Sequence, residues 1–142
     1  TTRAWAVPKL YPATSKPMKP PVETVRISKQ GREQLMKVRR QTGIENWNIL
    51  CRWALCLSLR EPTPPPILKQ KLDGGVEMAW KVFAGHESDI LCSLVIHRAF
   101  QDGLNDDRES INTCLKSHIH RGLSYIASGK DTRSITNFLA KW

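Results

Sequence analysis

The sequence predicts a mainly α-helical domain with a short strand and a β-hairpin, built on a strand-helix-helix core that is followed by further helices. Three observations predict it. Residues 22–28 alternate in polarity and run directly into two segments with helical periodicity. Asp73-Gly74-Gly75 separates two short apolar runs. Three more helical patterns follow residue 87.

Residues 1–21 contain Pro8, Pro12, Pro17, Pro20 and Pro21 with scattered lysines and no regular period, the composition of an extended arm. In residues 22–28, Glu23, Val25 and Ile27 alternate with Thr24, Arg26 and Ser28, the period of a half-buried strand. Ser28 fits an N-cap for a helix over about 29–42, and Gly43 supplies its stop. That helix is expected to turn Leu35, Met36 and Val38 to the core and Lys29, Arg32, Lys37, Arg39 and Arg40 elsewhere.

A second helix is expected over about 45–60. Trp47, Leu50, Cys51, Ala54 and Leu57 form one apolar face, and Ile49, Trp53 and Cys56 form another. A helix apolar on two sides must be buried on two sides, which in a small chain points to a subunit interface. Pro62 and Pro64-Pro65-Pro66 end the helix and start a stiff connector. Residues 67–72 and 76–84 flank the Asp-Gly-Gly turn and are expected to pair as a hairpin. Helices are expected over about 88–101, 108–127 and 132–142, the last with Ile135, Phe138, Leu139 and Trp142 in one stripe. The chain divides into an arm (1–21), one domain (22–128) and a helical tail (129–142).

Composition narrows the function. The chain has 142 residues, 40% of them hydrophobic and 25% charged, which suits one folded domain. Its longest apolar stretch is broken by Arg52 and falls short of the roughly 18 apolar residues that a membrane-spanning helix needs, so no membrane is expected. The start lacks the apolar segment of a signal peptide, and a cytoplasmic location is expected. The net charge is +9, and its placement is uneven. Residues 1–43 carry ten Lys/Arg against Glu23 and Glu33, a net of +8, whereas the other 99 residues carry twelve against eleven. Charge gathered at one end is the footprint of a polyanion partner.

The same end holds the sharpest candidate site. A strand followed by a basic helix and a buried helix is the order of a ribbon-helix-helix module, in which strands from two chains pair and enter the major groove. Thr24 and Arg26 are then candidates for base contact, and Lys29, Arg32, Lys37, Arg39 and Arg40 for phosphates. The plain alternative is that 22–28 is one strand of an intrachain sheet. Five or six phosphate contacts predict a log-log salt slope of roughly −4 to −5.

No catalytic or metal constellation is expected. Cys51, Cys56, Cys92 and Cys114 form no CxxC pair and read as buried reduced thiols. His118 and His120 lie two apart, point in different directions on a helix, and read as surface histidines without an acidic or cysteine partner at ligand spacing. His86 and His97 are isolated. Gly74-Gly75 sits in a turn rather than a phosphate loop, and Asp106-Asp107 reads as a loop and N-cap. No cofactor is expected.

The stretch TGIENWNILCRWALCLSLREPTPPP, preceded by VRISKQGREQLMKVRR and followed by DGGVEMAWKVFAGHE and HIHRGLSYIAS, resembles the DndE family of DNA sulfur modification proteins, most specifically around residues 48–52. The resemblance covers about residues 22–128. It implies a non-catalytic accessory protein of DNA phosphorothioation, in which a non-bridging phosphate oxygen is replaced by sulfur. It also implies partners: a cysteine desulfurase, the sulfurtransferase-like DndC, the ATPase DndD, double-stranded DNA, and further copies of the chain, with a tetramer as the working oligomer. Two other readings compete with a DNA-presenting subunit. One is a sulfur carrier with a persulfide on one cysteine; the other is a ribbon-helix-helix repressor.

Overall fold

The fold begins with a strand whose pattern is enforced by burial on one side. In the computed structural model, which describes residues 19–67, 72–105 and 107–128, strand β1 spans Thr24–Ile27. Val25 and Ile27 are fully buried, while Arg26 faces out. Ser28 then caps helix α1 (Lys29–Thr42), its side chain accepting from the Gly31 N–H at 3.0 Å. Gly43 closes the helix in the left-handed region at φ 76°, its N–H donating to the Arg39 carbonyl.

The buried side of α1 consists of Gly31, Leu35 and Val38. Met36, expected in the core, is instead exposed. At about 100° per residue, Met36 stands on the same stripe as Lys29, Arg32 and Arg40, within about 80° of arc, and roughly opposite Val38. Sequence adjacency to Leu35 misled; the helical angle places Met36 in solvent.

Helix α2 (Trp47–Leu59) lies at the centre. Leu50, Cys51, Ala54, Leu55 and Ser58 are buried, and Trp47, Trp53, Leu57 and Leu59 pack against the core at its margin. Of its two apolar sides, attributed above to burial against a second subunit, that of Leu50, Cys51 and Ala54 is buried within the chain, with helix α5 (Arg108–Ser128) and helix α3 (Trp80–Ala84) packed against α2, while Ile49, Trp53 and Cys56 on the other are half-buried. Gly122 makes the α2–α5 crossing close. A Cβ there would stand 1.8 Å from the Ala54 carbonyl oxygen, so only glycine lets the two backbones touch.

The other arm of the expected hairpin, over 67–72, lies mostly outside the described residues, and the second described strand is β2 (Val76–Ala79). It pairs antiparallel with β1, in the register Thr24–Ala79, Val25–Met78, Arg26–Glu77 and Ile27–Val76. Residues 68–71 lie outside the described residues, and 80–84 are helical rather than extended. The helix over 80–84 has a physical reason. Trp80, Phe83 and Ala84 are all buried at the i, i+3, i+4 spacing of one helix face, and the Trp80 N–H donates to the Glu23 carbonyl, ending the ladder.

A 3₁₀ turn (Gly85–Glu87) leads into helix α4 (Ser88–Gln101). Asp107 then starts α5, its carboxylate accepting from the Ser110 N–H at 3.2 Å, as expected of an N-cap. The described chain is thus mainly helical around one two-stranded antiparallel sheet. No helix among the described residues is long and apolar enough to cross a membrane. Exposed large apolar side chains include Ile90, Leu94 and Phe100 of α4 and Val82 of α3, with Phe100 at 79% exposure. Most of the arm and the tail from residue 129, with its expected helix over 132–142, lie outside the described residues.

Candidate nucleic-acid interface

Lys29, Arg32, Lys37, Arg39 and Arg40 are all exposed, as is Arg26 at the start of the same region; Thr24 is half-buried. α1 holds its cations outward because Gly31, Leu35 and Val38 anchor its other side, which packs against α5 and α2. Lys29, Arg32 and Arg40 share the outermost stripe, with Lys37 and Arg39 on its two flanks. The first turn of α1 contains no acidic side chain, and the last contains Arg39 and Arg40.

The face is not uniform. Arg39 lies over the Trp47 ring, its guanidinium carbon 5.4 Å from the ring centroid, which fixes its position through a cation–π contact. Arg26 stands opposite Glu77 in the ladder, so an acidic neighbour tempers its field. Beyond the last turn, Arg39, Arg40, Gly43, Glu45 and Asn46 line an open polar hollow of about 650 Å³. β1 pairs with β2 along one edge, the intrachain sheet that is the plain alternative to a ribbon-helix-helix module.

The basic helix is locked to the core by a histidine. The Ser28 N–H donates to His120 Nε2 at 3.0 Å, and His120 Nδ1 bonds the Lys116 carbonyl at 2.7 Å. The ring nitrogens therefore hold one acceptor and one donor role, and the imidazole is neutral. Burial pushes its pKa down, against the Lys116 hydrogen bond.

A second polar assembly lies behind α2, and sequence reasoning missed it. His118, expected on the surface, is 0% exposed, and His120 is 8% exposed. His118 Nδ1 lies 2.8 Å from Ser58 Oγ, and Nε2 lies 2.9 Å from Asp102 Oδ2. Arg98 Nε donates to Asp102 Oδ1 at 2.9 Å, and its other nitrogens donate to the Leu59, Glu61 and Thr63 carbonyls. Arg121 donates to Ser58 Oγ, the Ser58 carbonyl and the Thr63 carbonyl, each at 2.8 Å. Two arginines thereby tie the C-terminal end of α2 and the proline-rich connector to α4 and α5, where orphan carbonyls and the helix dipole favour cations. Burial pushes the Asp102 carboxyl up, and the hydrogen bonds from His118 and Arg98 outweigh it, leaving the group below the usual carboxylate range. Burial depresses the His118 pKa against the pull of Asp102.

The cysteines behave largely as expected. Cys51, Cys92 and Cys114 are buried, Cys56 is half-buried, and all four are free. Burial pushes the Cys51 thiol up to about 12; burial and then the Asp102 charge push Cys114 up to about 12. Burial also raises Cys56, opposed by Arg52, and Cys92. None is an activated thiolate. The NILCR stretch is occupied with packing: Asn48 Nδ2 donates to the Val82 carbonyl at 3.2 Å and Arg52 Nη1 to the Ala84 carbonyl at 3.3 Å, clamping α3 to α2.

The chain matches the family model of DNA sulphur modification protein DndE over residues 24–134. It belongs to the DndE family. The match includes β1, the basic helix and the buried cluster, and extends past α5. This DndE chain therefore has a role in DNA sulfur modification. No curated protein matches it.

Proposed function

We propose that this DndE protein is a non-catalytic, DNA-binding subunit of the phosphorothioation machinery, which presents duplex DNA to the sulfur-transfer subunits in the cytoplasm. The observation that carries this reading is the exposed cationic face of α1, where Lys29, Arg32, Lys37, Arg39 and Arg40 all reach solvent from one rigid, capped helix. By contrast, Arg98 and Arg121 are consumed by internal carbonyls and carboxylates. A rigid row of cations without an acceptor-rich reading strand favours phosphate contact over base contact, so affinity is largely independent of sequence. Thr24 and Arg26 would lie at the edge of this footprint.

The partners on this reading are double-stranded DNA, DndC and DndD, and further copies of the chain. Self-association would use the apolar side of α4, where Ile90 and Leu94 stand one turn apart with Phe100 beyond them. The half-buried Ile49, Trp53 and Cys56 side of α2 would be available to the same association.

The test is binding to a short duplex across a salt series, comparing the wild type with a variant in which Lys29, Arg32, Lys37, Arg39 and Arg40 are neutral. A log-log slope of roughly −4 to −5 that collapses in a still-folded variant supports the reading. Unchanged binding in that variant overturns it.

A further inference from the structure

We propose that Asp102, Cys114 and His118 form a binding site for one zinc-class divalent cation, with a fourth coordination position open to an adjacent cavity. One ligand atom from each of the three residues lies within 4.8 Å of the others. Cys114 and His118 are one helical turn apart on α5, the i, i+4 spacing that puts two ligands on one face, and Asp102 closes the triangle from the end of α4. Tetrahedral zinc with thiolate, imidazole and carboxylate ligands holds their donor atoms roughly 3.3–3.6 Å apart. The Asp102–His118 pair, at 2.9 Å, must therefore open slightly while the Cys114 sulfur moves in.

Three further observations point to a ligand. Each of two donors is gripped from behind by a group that would orient it: Ser58 Oγ at His118 Nδ1, and Arg98 Nε at Asp102 Oδ1. Such outer partners fix ring orientation and carboxylate geometry in metal sites. The Cys114 thiol has only a long contact, 3.9 Å, to the Val95 carbonyl, so its movement costs little. Finally, a cavity of about 260 Å³ borders the cluster, lined by Asp102 and Cys114 together with Pro64, Pro65, Ile67 and Leu104. It provides room for a water in the fourth position.

The donor set selects the metal class. A thiolate with an imidazole excludes calcium and magnesium, and a buried three-ligand set with an open position is the form zinc adopts when it keeps a water. Binding releases one proton, from the Cys114 thiol. It also moves the imidazole proton from Nε2 to Nδ1, where Ser58 Oγ accepts it. Arg98 stays paired to the second carboxylate oxygen, so the cation, thiolate, carboxylate and guanidinium together carry one net positive charge, one more than the metal-free cluster. The competing description is a metal-free network in which His118 simply bridges Ser58 and Asp102.

The experiment uses the full untagged chain, purified without chelator, analysed for bound metal, then stripped and titrated with Zn²⁺ and Co²⁺. One zinc per chain is expected, with a thiolate-to-cobalt charge-transfer band on Co²⁺ substitution. Cys114→Ser should lose that band and weaken Zn²⁺ binding by about a hundredfold or more, since even outer-shell changes cost tenfold to a hundredfold. Cys56→Ser, outside the cluster, should retain both. Zinc far below one per chain with no charge-transfer band in the wild type overturns the proposal. So does a band that survives in folded Cys114→Ser protein. The wild-type cobalt spectrum decides the matter even if Cys114→Ser does not fold.

Discussion

The outer face of α1 and the cluster behind α2 both carry arginines, and they use them in opposite ways. On α1 the guanidinium and ammonium groups stand in water around an anchored helix, and few internal groups depend on them. Behind α2, Arg98 is 6% exposed and serves Asp102 and three backbone carbonyls at once. Removing a charge from the first region changes what the molecule can bind. Removing one from the second leaves buried acceptors without a partner.

The largest expected effect tests the first half of this contrast. Neutralising Lys29, Arg32, Lys37, Arg39 and Arg40 together should weaken duplex binding about a thousandfold at low salt. Unfolding free energy should fall by no more than about 1–2 kcal/mol, from loss of the Arg39–Trp47 contact and of the cations in the last turn of α1, because the other side chains contribute little. A larger loss of stability in that variant would erase the distinction between the regions.

Arg98→Ala should do the reverse. Denaturant unfolding should show a loss of about 3 kcal/mol, since the Asp102 carboxylate and the α2 end carbonyls lose their donor. Binding measured on the remaining folded protein should be close to wild type. A smaller effect is expected from Gly122→Ala, roughly 2 kcal/mol, because the methyl group meets the Ala54 backbone and the α2–α5 crossing must spread. Ser28→Ala sharpens the comparison at the seam between the regions. Loss of the α1 cap should cost about 1 kcal/mol in chemical denaturation. Binding should fall only modestly, as the first turn and Lys29 loosen. Leu94→Asp places a charge on the apolar side of α4; its sedimentation behaviour should shift to a smaller species with no change in unfolding midpoint.

Much of the fold was legible in local patterns. The β1 alternation, the Ser28 cap, the Gly43 stop and the extents of α4 and α5 each follow from residues within a few positions of one another. Errors arose where the deciding partner was distant. Val76–Ala79 pairs with a strand some fifty residues earlier, and 80–84, expected as part of the extended run, turn into a helix. His118 and His120 looked like surface residues because their partners, Ser58, Asp102 and Ser28, come from other elements. One signal is present in the sequence: Cys114 and His118 share a helix face at i, i+4, whereas His118 and His120 do not.

From the sequence alone came the helical class, the segregation of positive charge into residues 1–43 and the identity of the candidate DNA-contacting side chains. These follow from periodicity and composition, which act over one or two turns. Tertiary structure decided which strand pairs with which, which side of α2 is buried in the chain, and that Asp102, Cys114 and His118 converge. Those outcomes depend on contacts between segments far apart in the chain. There the burial of one polar group is tolerable only if another segment delivers its partner.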